Sequence, residues 1–293
     1  MRVLVTGSSG RVGAYTVREL ARAGHDVVHV DRVRPEKPLP GGFIRADLTD
    51  AGEVYDVVAQ ARPEGVCHIA ANPSPGGNPR QQIFANNVLS TYNVFQAAGD
   101  AASVRRLIYA SSEMATGWLT TEDHPAHFPF DESARADTPN AYALSKYLGE
   151  VIADGMSVRY PHMALVSLRI NNVIVPDGQP DYADVKKRRD EYPRGGSGNY
   201  WAYVDVRDVA TAFRAALEGE GAGHEVFAVA AADTCIDVPL DRALTERYGA
   251  EVAARLKPGH PSFGSVVDCS KMERFFGWKA VHSWRDQPIP PAQ

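Results

Sequence analysis

Tyr142-Ala-Leu-Ser-Lys146 is the residue pair with the clearest chemical use in this sequence. On a helix the i,i+4 spacing puts both side chains on one face, one turn apart. A lysine ammonium beside a phenol favours the phenolate, so the pairing predicts a Tyr142 pKa drawn down towards working pH. Such a tyrosine accepts the proton of an alcohol being oxidised, or gives one to a carbonyl being reduced. The second chemical element is Gly7-Ser-Ser-Gly10-Arg-Val-Gly13, which follows a short apolar, β-branched run and opens a stretch of helical periodicity. Glycine suits such a turn where a side chain would block a phosphate or force an unfavourable φ. The helix start then offers free N–H groups and a positive dipole end to a pyrophosphate. Both flanking elements that a dinucleotide turn requires are present, so Gly7, Ser9, Gly10, Arg11, Val12 and Gly13 are expected to bind the cofactor. Asp31 stands 18 residues after Gly13, near the ~20-residue offset at which an acid bonds the adenine-ribose hydroxyls. It would repel the extra phosphate of NADP, which favours NAD. Arg32 and Arg34 follow at once and offer charge to such a phosphate, which keeps NADP as the alternative.

These residues need strands to present them and helices to cover the strands. Apolar, β-branched runs at 2–6, 26–31, 42–46, 65–70, 105–110 and 164–169 alternate with helical periodicity at 11–23, 51–61, 79–102 and 142–160. Alternation with short turns predicts an α/β fold, a Rossmann doubly wound parallel sheet covered on both faces. After Val175 the composition changes. Residues 176–200 are rich in Pro, Gly, Asp, Lys and Arg and read as loops, followed by a helix at 205–218 and a strand at 224–230. The expected organisation is a nucleotide-binding domain over 1–175, with parts of 200–230 returning to it, and a small C-terminal substrate-binding lobe mainly over 176–293. That lobe is expected over the carboxyl ends of the strands, where ligands of such sheets bind.

Bulk properties exclude several function classes. Of 293 residues 44% are hydrophobic, enough for a sizeable core, and the net charge is -5, without the clustered basic excess of a nucleic-acid binder. Cys67, Cys235 and Cys269 are odd in number and far apart, fitting neither a disulfide framework nor a Cys-x-x-Cys metal spacing. A reducing, cytoplasmic setting is expected. The apolar run at the start is too short for a signal peptide, and no stretch reaches the ~20 apolar residues that span a bilayer. The expected partner is a small-molecule substrate. His124 and His127, on a proline-interrupted acidic loop, lack a standard zinc spacing, and no metal is expected.

In order along the chain, the sequence resembles the extended short-chain dehydrogenase/reductase family, in its NAD-dependent epimerase/dehydratase group. The resemblance rests on the glycine turn, Asp31, Asp47-Leu48, His68-Ile-Ala-Ala71, Asn86-Asn-Val88, Ala110-Ser-Ser112, Tyr142-x-x-x-Lys146 and Leu168-Arg-Ile-Asn-Asn-Val173. Trp201-Ala-Tyr-Val-Asp-Val-Arg-Asp-Val209 and Ser270-Lys-Met-Glu-Arg-Phe-Phe-Gly-Trp278 extend it. It implies that Asp47 bonds the adenine amino group beside Leu48, and that Ala70, Ala71 and Ala110 line the cofactor cleft. It places Asn87 in the helix that buttresses the catalytic strand, as part of the cofactor site. Ser112, five residues before Gly117, would hold the substrate oxygen and share its developing charge, with Glu113 beside it on the substrate. Lys146 would also hold the nicotinamide ribose. Asn171 or Asn172 would face the nicotinamide side, Asn171 towards the cofactor and Asn172 towards the substrate. The resemblance further implies a homodimer built on the helices at 79–102 and 142–160.

Several residues depart from the family pattern. Arg11 replaces an aromatic or aliphatic residue, and Thr116 stands where a tyrosine is common. Ser112-Glu113-Met114 has one acid where dehydratases carry Thr-Asp-Glu, which argues against water elimination. The segment from Pro176 to Tyr203 is short for a sugar-nucleotide enzyme, which points to a smaller substrate such as a free sugar, sugar acid, or hydroxy or oxo acid. Its basic run, Lys186 to Arg189 with Arg194, reads either as a solvated helical turn or as a carboxylate-binding group. The leading expectation is an NAD-dependent dehydrogenase or reductase that passes hydride between nicotinamide and a hydroxyl or carbonyl carbon. The alternative is a sugar or nucleotide-sugar epimerase using tightly bound NAD, with a non-catalytic NAD-sensing regulator behind both.

Overall fold

The computed structural model describes residues 1–117, 124–134, 138, 140–176, 181–195 and 197–286. The elements are β1 (Arg2–Thr6), α1 (Arg11–Arg22), β2 (Asp26–Asp31), β3 (Gly42–Arg45), α2 (Ala51–Ala61), β4 (Gly65–His68), α3 (Arg80–Asp100), β5 (Arg106–Ser112), α4 (Ala141–Arg159), β6 (Ala164–Ile170) and β7 (Val173–Ile174). They continue with α5 (Tyr182–Asp190), β8 (Val204–Asp205), α6 (Val206–Glu218), β9 (His224–Val229), α7 (Leu240–Tyr248), α8 (Ala250–Ala253) and α9 (Ser270–Phe276). Seven strands pair in the order β3-β2-β1-β4-β5-β6-β9, every pair parallel. This is the predicted doubly wound α/β sheet. Its order reverses between β1 and β4, and the crevice outside their carboxyl ends is where such sheets bind ligands.

Burial on both faces explains why the central strands are continuously apolar: β4, β5 and β6 are buried along their whole lengths. Alternate residues serve opposite faces. Leu4, Val66, Leu107 and Leu165 pack under α2, α3 and α4 with Val54, Val94, Phe95 and Ala153. Val3, Val5, Ile108, Val166 and Leu168 pack on the other face with Val17 and Leu20 of α1 and Val209 and Phe213 of α6. Each such side chain contributes about 1.5–3 kcal/mol on burial. A third cluster joins Phe128, Ile174, Val185, Trp201, Ile236, Leu244 and Val266.

The sequence reading and the structure differ over 176–200. Tyr182–Asp190 is a helix, capped by the Asp181 side chain, with Asp184 returning the bond. Only Val185 of this helix is buried, so no apolar period marks it in the sequence. Residues 177–180 and Gly196 of that segment lie outside the described residues, as do 121–123 of the acidic loop carrying His124 and His127.

Behind the site a buried ion pair ties three elements. Arg169 on β6 forks onto Glu150 of α4 (Nε–Oε1 3.0 Å, Nη2–Oε2 2.8 Å), and Glu150 also accepts from Ser111 Oγ of β5 at 2.6 Å. Arg169 Nη1 donates to the carbonyls of Glu132 and Ala134. Glu150→Ala would strand this guanidinium without its partner, and is expected to lower unfolding stability by about 3–5 kcal/mol. Equilibrium urea denaturation checks it, and a loss below about 1 kcal/mol would mean that the pair adds nothing to the fold.

Candidate active site

The cleft at the carboxyl ends of β1, β4, β5 and β6 has a volume of about 690 Å³, within the usual range for small-molecule sites of about 300–1,000 Å³. One wall is the glycine turn. Gly7 has φ +72, and a Cβ there would lie 2.7 Å from the Ala70 backbone; a Cβ on Gly13 would lie 2.0 Å from the Gly7 carbonyl oxygen. The turn therefore closes only with glycine at both places, which brings α1 against β1 and β4. No side chain caps α1 at Gly10, so the orphan N–H groups of its first turn face the cleft lined by Gly10, Arg11, Val12 and Gly13. This arrangement fits a pyrophosphate. At the cleft's far edge Asp31 is held by the backbone N–H of Ser9 (2.9 Å) and Val33 (3.3 Å). Arg34 instead lies over the Phe43 ring at 4.8 Å. Asp47 accepts from Thr49 N at 3.0 Å and Oγ1 at 2.8 Å, and the backbone bond from Thr49 is the main cause holding its carboxyl below the usual range.

The reacting end is set by β5 and α4. Ser112 is the last residue of β5, and its Oγ accepts from Met114 N at 3.2 Å. The turn that follows, Glu113–Thr116, closes through Gly117 at φ +85. Asn140 caps α4 by accepting from Ala143 N at 2.8 Å, which places Tyr142 in the first turn. Lys146 Nζ donates to the Ala110 carbonyl at 2.7 Å and lies 5.8 Å from the Tyr142 ring centroid. Lys146 is 3% exposed and Tyr142 8%.

The predicted lowering of the Tyr142 pKa is not what the protein's own groups produce. Burial pushes the phenol up to about 12, opposed by a hydrogen bond from Ser112. Burial also pulls Lys146 down to about 7. Desolvation outweighs the pairing because both groups sit in one low-dielectric pocket and each disfavours its own charged form there.

Of the residues singled out from the sequence, the cleft brings together the glycine turn, Asp31, Arg32, Asp47, Leu48, Ala70, Ala71, Ala110, Ser112, Glu113, Tyr142, Lys146, Asn171 and Asn172. Asn87 is the exception. It is 1% exposed, accepts from Asn72 N at 2.7 Å and donates to Ser145 Oγ at 3.0 Å. It ties α3 to α4 and to the segment after β4 rather than lining the cleft. Its neighbours Asn86 and Ser90, one turn apart, line the cleft instead; the phase of the helix, which a run of polar residues does not define, decided this. Asn199 was also missed. Its Nδ2 donates to both Glu113 carboxylate oxygens at 3.3 Å, a contact across 86 positions that no local pattern announces. Asn171 Oδ1 is buried without a partner beside the reacting end, an acceptor that fits a carboxamide N–H. His124 shares a hydrogen bond with Tyr200 Oη, and His127 Nδ1 donates to the Pro129 carbonyl. Among the described residues no group of His, Cys, Asp and Glu is placed to hold a metal, and no helix is long and apolar enough to cross a membrane.

A glycine-turn cleft at the switch point of a parallel sheet is the arrangement of a dinucleotide-binding protein, and here serine, tyrosine and lysine stand at one end of it. The match of residues 3–230 to the NAD dependent epimerase/dehydratase family places this chain in that family. It is 26% identical over 326 aligned residues to a UDP-glucose 4-epimerase of Lacticaseibacillus casei, covering 100% of this chain and 96% of that protein. A UDP-glucose 4-epimerase of Drosophila melanogaster is 28% identical, covering 69% and 59%. Among solved structures, the Bordetella bronchiseptica enzyme WbmG in complex with NAD is 26% identical, with a TM-score of 0.69 over 98% of this chain and 91% of that one. The Thermotoga maritima UDP-glucose 4-epimerase shares the fold at 22% identity and TM-score 0.72, covering 97% and 94%. Three of these four relatives carry the name of an epimerase and none that of a dehydrogenase, so the preference for a dehydrogenase formed from the sequence finds no support among them.

The buried lysine has a consequence for stability. A protonated Lys146 is disfavoured in the folded state, so the penalty is full below its folded value of about 7 and disappears as pH rises towards 10.5. Lys146→Met is therefore expected to melt higher than the natural protein below about pH 7, with the gap narrowing towards pH 10.5. Differential scanning calorimetry across that range checks it, and a gap independent of pH would contradict the burial of an ionisable amine.

Proposed function

We propose that this protein is an NAD-dependent epimerase acting on a sugar, free or nucleotide-linked, through transient oxidation at one carbon. The observation that carries the reading is the complete Ser112, Tyr142 and Lys146 set in one cleft with a glycine turn and Asp31, in a chain whose relatives are named epimerases. Bound NAD supplies the hydride acceptor and donor. The first turn of α1 and Asp31 hold its pyrophosphate and adenine ribose, Asp47 its adenine, and Lys146 and Asn171 its nicotinamide end. Ser112 Oγ positions the substrate hydroxyl and hydrogen-bonds the oxygen as charge develops. Tyr142 Oη takes the hydroxyl proton and later returns it. Lys146, fixed to the Ala110 carbonyl, favours the tyrosinate whenever the amine is charged. Inversion requires that the oxidised sugar present its other face before reduction, so the substrate is retained while it turns. A full triad in the cleft also speaks against a purely NAD-sensing role. The division at residue 175 into a nucleotide domain and a small substrate lobe, and a cytoplasmic setting for the three free cysteines, belong to the same proposal.

Product analysis by proton NMR tests it. With NAD and UDP-glucose, UDP-glucuronate, glucose or glucuronate as substrates, one is expected to yield its epimer without NADH accumulating. Accumulation of NADH equal to product would instead make the enzyme a dehydrogenase. Tyr142→Phe is expected to lower turnover by about 10²–10⁴-fold with NAD affinity retained, and full turnover would remove the proton role.

The homodimer is proposed on α3 and α4, which pack side by side and leave Leu89, Tyr92, Val151 and Val158 exposed at 49%, 46%, 42% and 83%. Aligned on a second copy, these residues would bury an apolar face. Leu89→Arg combined with Val151→Arg is expected to give a monomer by analytical ultracentrifugation, and an unchanged mass would place any interface elsewhere.

A further inference from the structure

On helix α5, Lys187 and Arg189 pair with carboxylates, whereas Arg188 reaches Asn172, a residue of the cleft's substrate end. Lys187 pairs with Glu191 at 3.9 Å. Arg189 pairs with Asp190 at 3.0 Å and Asp237 at 3.3 Å, and lies 5.7 Å from the Trp284 ring centroid. Arg188 is different. With the Asn172 amide turned so that its oxygen faces the guanidinium, that oxygen accepts from Nη1 at 2.6 Å and from Nη2 at 3.1 Å. Among the described residues, no carboxylate forms an ion pair with Arg188. Asn172 lines the cleft, and so does Glu113, next to Ser112 in the chain.

Among the described residues, Glu113 does not offset that charge. Glu113 feels the Arg188 charge, yet burial pushes its carboxyl up to about 8, so near neutral pH it is largely protonated. Its oxygens are occupied by the Asn199 amide. Asn199 is fixed in turn by its bond to the Ala202 carbonyl at 2.8 Å. The backbone between them adopts positive φ at two bulky residues, Tyr200 (53°) and Trp201 (61°). Such conformations are strained for bulky residues and persist where the surroundings demand them. Trp201 is fully buried. A half-buried guanidinium with no carboxylate partner among the described residues gains from an anionic ligand, through paired N–H···O bonds.

We propose that Arg188, braced by Asn172, is the specificity-determining residue for an oxyanion on the substrate, a carboxylate or a phosphate, distal to the carbon that reacts at Tyr142. The inference rests on the proposed function only for which end of the cleft reacts. It turns the substrate class from a sugar into an anionic sugar, and it selects one arginine from the basic run where the sequence offered several.

The test is isothermal titration calorimetry on the NAD-loaded protein with glucuronate, glucose 1-phosphate, UDP-glucose and neutral glucose. At least one anionic probe is expected to bind more tightly than glucose, and Arg188→Ala is expected to weaken that probe by about 10–100-fold, the loss of one or two charge-assisted hydrogen bonds. Arg188→Lys should restore part of the affinity, and an unchanged NAD titration shows that each variant folds. Dependence of glucuronate alone on Arg188 assigns a carboxylate; dependence of the phosphate probes assigns a phosphate. Equal binding of glucose and all three anions, or anion affinity unchanged in Arg188→Ala, overturns the proposal. Arg188-dependent binding without any epimer among the products would leave the anion site standing and remove the epimerase reading.

Discussion

The attachment of α4 to β5 is the constraint on which the reacting end depends. In the proposed reaction a proton passes between Tyr142 and a substrate oxygen on Ser112, which requires a helix and a strand from distant parts of the chain to keep a fixed spacing. Two polar ties do this. Lys146 Nζ donates to the Ala110 carbonyl, and Glu150, one turn further along α4, accepts from Ser111 while forking with Arg169. Both are buried, so neither is weakened by competition with water, and both fail if a single partner is lost. Asn87 adds a third tie from α3 through Ser145. A hydrophobic interface alone would tolerate sliding by a fraction of a turn; directional bonds at successive turns of α4 do not.

The same burial sets the electrostatics of the site. Desolvation raises Tyr142 and Glu113 and lowers Lys146, so burial drives each of the three titratable groups towards its neutral form. This is a responsive state. A positive charge introduced beside Tyr142, whether by protonation of Lys146 or by an oxidised nicotinamide, acts across a low-dielectric gap and moves the phenol far more than it would in water. An anion near Arg188 acts in the opposite sense at the other end of the substrate. The cleft thus has a cationic demand at its rim and a proton-transfer pair at its base, separated by the Ser112–Glu113 corner.

The substrate end is built by elements that come late in the chain. Helix α5, the strained turn at Tyr200–Trp201 and the short β7–β8 pair (Val173–Val204) hold Arg188, Asn199 and Asn172 around Glu113. This half joins an acid after Ser112, a buried tryptophan at position 201 and Arg188, which pairs with no carboxylate among the described residues. Specificity in a shared fold is expected in such places, because the sheet must stay constant to hold the dinucleotide while connecting segments are free to differ.

The sequence by itself determined the α/β sheet, the glycine turn and the Tyr142–Lys146 pair, because each is a local pattern with a local cause. Strand runs are apolar because both faces of the sheet are covered, Gly7 and Gly13 leave no room for a Cβ, and i,i+4 places two side chains on one helix face. Tertiary structure alone decided the rest. Helix α5 has no apolar period and is held by a cap and one buried valine. Asn87 faces Ser145 because of the rotation of α3, which polar residues do not encode. The direction of the Tyr142 shift follows from how deeply α4 is buried, and burial is a property of everything packed over it. The convergence of Glu113, Asn172, Arg188 and Asn199 joins positions far apart in the chain, whose meeting depends on a backbone turn held against its own preference by the surrounding core.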